Sequence, residues 1–289
     1  MARFTLCILC LTFFEVIISG QTLKSQVIDR KTGQPIPYVN IGIVGKNIGT
    51  VSDNNGRFQL SIENAVDSDT LRLSMISYVT QEFIVGDLRR LEVFELIEMD
   101  QRQIELKEVT VLSQRPSQIK LGLEKRHCYP IPLYKGASSN IAFPQNGYRH
   151  EIGTRFSNDR PLYLDSIQLN FAVSFVDTIE FRLNIYSIQN QEISNILSEP
   201  IYISLSKSEA ENSPVIYLSK YEIEVHSDFL VTIENYQQMP VAAVKILANF
   251  KSKGRVYPTY YRSNSQGNWV KLQTKKSKDI GISFIVFGQ

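Results

Sequence analysis

Two short stretches near the N-terminus have the residue types that hold ligands. Gly45-Lys46 ends the apolar run Ile41-Gly42-Ile43-Val44, and Asp53-Asn54-Asn55-Gly56 follows a few residues later. A phosphate cradle needs G-x-x-x-x-G-K-[ST] between a strand and a helix, so that backbone N–H groups, a lysine and a hydroxyl converge. Here positions 40 and 47 are both asparagine, and the pattern that follows is another strand. A calcium loop needs oxygen ligands at alternate positions and an acid at the twelfth. Counting from Asp53, Asn55 fits the third place, but Arg57 holds the fifth and Asn64 the twelfth. Both stretches read as corners, Asn and Gly being tolerant of left-handed backbone.

Other candidates for chemistry are thin. His127-Cys128 is the only neighbouring His/Cys pair, and adjacent residues on an extended chain point to opposite sides. The histidines His127, His150 and His226 lack zinc-ligand spacing, so no metal or cofactor is expected. Glu180, Glu222, Glu224 and Glu234 could pair across a cleft as a glycosidase requires. Each stands in the polar half of a strand-like alternation, which reads as a solvated sheet face.

The C-terminal stretch is the most informative. From Lys245 to Lys278 the chain carries nine Lys/Arg and no acid, although the net charge is only +2, so the remainder is seven charges negative. Aromatic rings are interleaved with these cations, a combination suited to stacking on sugars and pairing with anionic groups. The ligand-binding candidates are Tyr257, Tyr260, Tyr261, Arg262, Trp269 and Lys271. The alternative is that the tyrosines fill a core while the lysines keep loops soluble.

Residues 1–20, MARFTLCILCLTFFEVIISG, have a basic start, a short apolar stretch and a small-residue end, the pattern of a secretory signal peptide, with Glu15 as its one blemish. An exported chain is therefore expected, with glycan or envelope protein rather than nucleic acid as partner. Removal of this segment leaves Cys128 as the single cysteine, which cannot form an internal disulfide. No later segment approaches 18 consecutive apolar residues, so no transmembrane helix is expected after cleavage.

The elements that would position these residues are strands almost throughout. Eight runs are expected between Leu23 and Leu112, the last at Glu108 to Leu112, with helical periodicity nearly absent. Residues 113–145 lose the alternation and gain Pro, Ser and charge, as a linker does. Longer strands then resume. Leu162 to Phe175 places Ile167, Leu169, Phe171, Val173 and Phe175 on one side, and Thr178 to Ile188 places Ile179, Phe181, Leu183 and Ile185 on one side. The polar residues between them, Gln168 and Asn170, then Glu180, Arg182 and Asn184, do not suit the lipid face of an outer-membrane barrel.

The run V-I-D-R-K-T-G-Q-P-I-P-Y-V-N-I (27–41), then G-T-V-S-D-N-N-G-R-F-Q-L-S-I (49–62) and D-T-L-R-L-S-M-I-S-Y (69–78), resembles the carboxypeptidase regulatory-like domain, a prealbumin-like β-sandwich. The closing E-L-K-E-V-T-V-L (105–112) is similar to the segment that follows this domain in many TonB-dependent outer-membrane receptors. The resemblance implies an all-β fold of seven strands, an envelope location and a non-catalytic module, and it covers about a third of the chain. The expected organisation is a signal peptide at 1–20, this sandwich at 21–112, a linker at 113–145 and a larger jelly-roll-like antiparallel β-sandwich at 146–289. The expected function is a non-catalytic exported binding or accessory protein, associated with the periplasm or outer membrane. Two alternatives stay open: a polysaccharide or peptide hydrolase with an accessory first domain, and a structural component beside an outer-membrane transporter.

Overall fold

A computed structural model describes residues 22–90, 96–102, 118–122, 124, 128–132, 150–236, 244–249, 257–273 and 280–289. The expectations for residues 1–20, for His127 and for a strand at Glu108 to Leu112 lie outside these residues.

Among the described residues the first domain has seven strands: β1 (Thr22–Asp29), β2 (Asn40–Ile43), β3 (Gly49–Val51), β4 (Arg57–Ser61), β5 (Thr70–Ser74), β6 (Gln81–Ile84) and β7 (Leu96–Met99). They form two sheets, ordered β4-β1-β7 and β3-β2-β5-β6, in which only the β1–β7 pairing is parallel. Alternation does the work here. Leu23 and Val27 of β1, Phe58 and Leu60 of β4, and Leu71 and Leu73 of β5 all turn inward and share one core with Ile41, Ile43 and Met99. Each such buried side chain contributes about 1.5–3 kcal/mol. Asp29 closes β1 by accepting the N–H groups of Lys31 and Thr32 at 2.9 and 2.8 Å, together with Tyr78 Oη and Gln101 Nε2. Led by the Thr32 N–H, these donors hold its carboxyl down to a pKa of about 2.

The second domain has sixteen strands among the described residues. They are β8 (Ile119–Gly122), β9 (Tyr129–Pro132), β10 (Glu151–Phe156), β11 (Leu162–Leu169), β12 (Phe171–Ser174), β13 (Thr178–Gln189), β14 (Glu192–Asn195) and β15 (Ile201–Ser206). Then come β16 (Val215–Tyr217), β17 (Glu224–Val225), β18 (Phe229–Glu234), β19 (Val244–Asn249), β20 (Thr259–Arg262), β21 (Val270–Lys271), β22 (Gly281–Ile282) and β23 (Phe284–Gly288). One sheet runs β14-β13-β18-β10-β20-β21, with β15 beside β13; the others run β16-β11-β23-β8 and β12-β19-β22. Among the described residues the pairing is antiparallel, and hairpin neighbours such as β13–β14 and β20–β21 are combined with pairs of strands distant in sequence, as in jelly-roll-type sandwiches.

Three details differ from the sequence expectation. β8 and β9 lie inside the stretch that reads as a linker, and their order comes from pairing with β23 and β19 rather than from any alternation of their own. β10 was not foreseen, because its apolar side, Ile152 and Phe156, is interrupted by Thr154, and its other side carries Glu151, Gly153 and Arg155. The strand expected from Leu162 to Phe175 breaks at Asn170, where β11 and β23 part and β19 enters the fork. Asn170 is fully buried there, not solvated, and its Nδ2 donates to Ser283 O and Oγ at 3.2 and 2.8 Å while Leu247 bonds both backbones. Phe175, placed by alternation on the apolar side, is exposed.

The two cores are separate, except that Ile76 of the first domain packs against the second. Among the described residues no helix is long and apolar enough to cross a membrane.

Candidate functional site: a polar sheet face closed by two hairpin tips

The register of the large sheet lines up one row of residues across five strands. Tyr202 of β15 faces Arg182 of β13, Arg182 faces Glu234 of β18, Glu234 faces Glu151 of β10, and Glu151 faces Arg262 of β20. The side chains therefore stand on one face in the order cation, anion, anion, cation. Arg182 Nε and Nη2 donate to Glu234 Oε2 at 3.0 and 2.8 Å. Arg262 Nε and Nη2 donate to Glu151 Oε2 at 2.7 and 2.5 Å. Asn184 Nδ2 bridges the two carboxylates, at 2.9 Å from Glu151 and 2.8 Å from Glu234. Tyr186 Oη and Thr232 Oγ1 also donate to Glu151.

This face is not solvated, contrary to the reading of the polar half of these strands. Arg182 and Glu234 are 1% exposed and Glu151 is 0% exposed. Burial opposes the charge on both arginines, yet the facing glutamates outweigh it and raise their pKa above the ordinary value. Burial raises the Tyr186 hydroxyl well above 10. Gly153 makes the packing possible: a Cβ there would lie 2.0 Å from Val231 O and 2.6 Å from Thr232 Cγ2.

The six candidates from the basic end fall into two groups. Tyr257 is buried against Phe156, with ring centres 5.4 Å apart, and Tyr261 packs on the second core, so both serve the apolar side. Tyr260 and Lys271, paired across the β20–β21 hairpin, stand on the polar side with Arg262. Arg262 and Trp269 are brought together, the guanidinium 4.3 Å from the indole centre and 5.4 Å from the Tyr186 ring. The indole thus lies over a cation that is already paired with Glu151.

The tip of this hairpin docks on the tip of β2–β3, the Gly45-Lys46 corner of the sequence. Gly45 N–H donates to Gln266 O at 2.9 Å, Asn264 Nδ2 to Lys46 O at 3.0 Å, and Asn268 Nδ2 to Gly45 O at 3.3 Å. Gln266 Nε2 reaches Ser74 Oγ at 2.7 Å, and Ser263 Oγ bonds Asn47. Gly42 and Gly49, which face each other across β2 and β3, form the seat: a Cβ on Gly49 would lie 2.9 Å from Asn264 Cγ, and one on Gly42 3.2 Å from Gln266 Cγ. Lys46, the lysine of the imagined phosphate loop, instead binds Asp69 at 2.5 Å. Asp53 Oδ1 accepts the N–H groups of Asn55 and Arg57, each at 2.8 Å, and so builds a turn rather than a cation site.

At the other end of the row the first domain supplies a lid. Arg182 Nη1 donates to Tyr38 O at 3.2 Å and lies 3.5 Å from Met75 Sδ. The Tyr38 ring packs against both Tyr236 and Tyr202, at 4.5 and 5.5 Å, and those two rings touch each other at 5.1 Å. Tyr38 and Ser77 are the non-glycine residues of the described first domain with positive φ, at 59° and 74°. Both contact the second domain, Ser77 Oγ by donating to Ser198 O at 2.5 Å. Strained backbone is thus spent on the seam. Sequence reading missed Glu151, Tyr186 and Tyr38; the signal for the first was a lone acid opening a strand of otherwise mixed pattern.

Residues 23–111 match the CarboxypepD_reg-like domain family. The match covers β1 to β7 and agrees with the resemblance carried by the motifs at 27–41, 49–62 and 69–78. The chain has no match among curated proteins.

Proposed function

We propose that this chain is a non-catalytic binding or accessory protein of the cell envelope in which the two sandwiches act as one body. The observation that carries the reading is the closed row Arg182, Glu234, Glu151 and Arg262. Its two carboxylates, the groups best grouped for acid–base work, are each clamped by an arginine and covered to 1% exposure or less. A general acid or base needs reach to a substrate proton, which this cover denies. Export to the periplasm or outer-membrane surface rests on the pattern of residues 1–20, and the partner on the half-buried Tyr260 and Lys271 of the β20–β21 hairpin, as a glycan or an envelope protein.

The test is incubation of purified protein with polysaccharide and peptide panels, alongside fractionation of the producing cell. Binding without turnover, and recovery in the envelope fraction, is the expected result. Turnover that survives repurification overturns the non-catalytic reading, and recovery in the cytoplasm overturns the envelope assignment.

A further inference from the structure

The tyrosine cluster at the seam opens onto a cleft of about 470 Å³, lined by Tyr38 and Tyr236 with Thr50, Asn54, Arg57 and Gln59. This cleft is shallow, open and mostly polar, a shape that suits an extended ligand lying along the surface, and it sits at a domain seam, where binding sites concentrate. The cleft continues into a second one of about 510 Å³ on the outer face of β1 and β4, where Lys24 and Gln26 join the shared Arg57 and Gln59. The pairing register explains the continuity, since Lys24 faces Gln59 and Gln26 faces Arg57.

Three features of this groove point to a ligand. The Tyr38 ring is held at the seam by a backbone at φ 59° and is backed by two further tyrosine rings, a costly arrangement of the kind found at ligand clamps. The exposed side chains of Lys24, Asn54, Arg57 and Gln59 make no hydrogen bond or ion pair to other described residues, whereas Arg30, Arg72, Arg89 and Arg155 each bind a carboxylate. Chemistry also changes along the groove, from an aromatic end through planar amide and guanidinium groups to a second cation, with one carboxylate on its wall, Asp53, whose Oδ1 is engaged by the N–H groups of Asn55 and Arg57. An aromatic ring stacks on a sugar ring, planar donors match vicinal hydroxyls, and Arg57 and Lys24 match carboxylates spaced along a chain.

We infer that this groove binds a linear oligosaccharide carrying carboxylate groups, of the uronic-acid class. The inference rests on the reading of the chain as a binding protein and adds to the β20–β21 hairpin a second recognition surface, on the first domain at its seam with Tyr236.

The experiment is calorimetric titration of the full chain with oligogalacturonates of three to six units, and with neutral xylo-oligosaccharides of the same lengths. Binding of the acidic series alone is expected, weakening as NaCl rises. Arg57→Ala and Tyr38→Ala are each expected to lower affinity at least tenfold, and Lys207→Ala, which lines neither cleft, to leave it unchanged. Because Tyr38→Ala also disturbs the seam, Arg57→Ala and Lys24→Ala, both on an exposed strand face, carry the decision, with unchanged thermal melting as the check on folding. No binding, equal binding of the neutral series, or binding unaffected in Arg57→Ala overturns the assignment. Cleavage of the oligosaccharide would instead overturn the non-catalytic reading on which it rests.

Discussion

Arg182 and Tyr38 stand 144 residues apart in sequence, and a hydrogen bond of 3.2 Å from the guanidinium of one to the main-chain carbonyl of the other joins the domains. The same guanidinium holds Glu234 in a wholly buried pair. A charge cluster of the second domain is therefore completed by backbone from the first.

Arg182→Ala leaves Glu234 buried without its cation, and breaking a buried pair in this way costs about 3–5 kcal/mol. Urea denaturation of the full chain measures it. The double replacement Arg182→Met with Glu234→Leu is expected to recover much of the loss, since no charge is then left unpaired. A single variant as stable as the parent shows that the row is not closed as described.

Gly49→Ala pushes a Cβ to 2.9 Å from Asn264 Cγ. Overpacking of this kind costs about 1–3 kcal/mol. Its signature is local, in faster amide hydrogen exchange at residues 264–268 and in the β2–β3 turn. Gly33→Ala is the contrasting control: with nothing within 4 Å and φ at 70°, it carries only the backbone penalty of about 1 kcal/mol and leaves the seam unchanged.

His150 is buried, and burial lowers its pKa to about 4 from 6.5. The unfolded chain takes up a proton near pH 6.5 that the folded chain refuses until about pH 4. This contribution is fully present above pH 6.5 and is lost as pH falls toward 4, by up to about 3 kcal/mol. Denaturation midpoints measured across that window are expected to fall in the parent and to fall less in His150→Gln. Equal slopes dismiss the assignment.

Asn170→Ala removes three side-chain hydrogen bonds at the fork between β11 and β23, two donated to Ser283 and one accepted from Gln168, while the Asn170 N–H bond to Ser283 O remains. A loss of about 1–3 kcal/mol is expected. Thermal unfolding reads it, and Asn170→Asp is not expected to rescue, because a carboxylate cannot donate to the carbonyl.

Strands with clean alternation, such as β1, β4, β5 and β13, were legible from sequence because one apolar side and one polar side define a face. What alternation does not say is whether the polar side meets water. Arg182 and Asn184 alternate as a solvated face would, yet Arg182 is buried beneath Tyr38 and Met75 of the first domain, and Asn184 among Glu151, Glu234 and Asn195 of its own. Glu151 was hidden for a related reason: β10 is polar on the side that meets the row and carries a glycine where Thr232 packs close. The corners at Gly45 and Asp53 were read correctly as corners, but Gly42 and Gly49 gave no sign that Asn264 and Gln266 rest on them. Contacts across more than 200 residues leave no local period.

The glycine seat also bears on how this module travels between proteins. A sandwich of the same fold but with ordinary side chains at positions 42 and 49 would present a ridge where the partner hairpin needs a hollow. Grafting such a cassette onto residues 113–289 would leave Arg182 without its carbonyl and the hairpin tip unseated. Any successful transplant must therefore carry those two glycines and Tyr38 along with the strands, so the unit of inheritance is larger than the unit of fold.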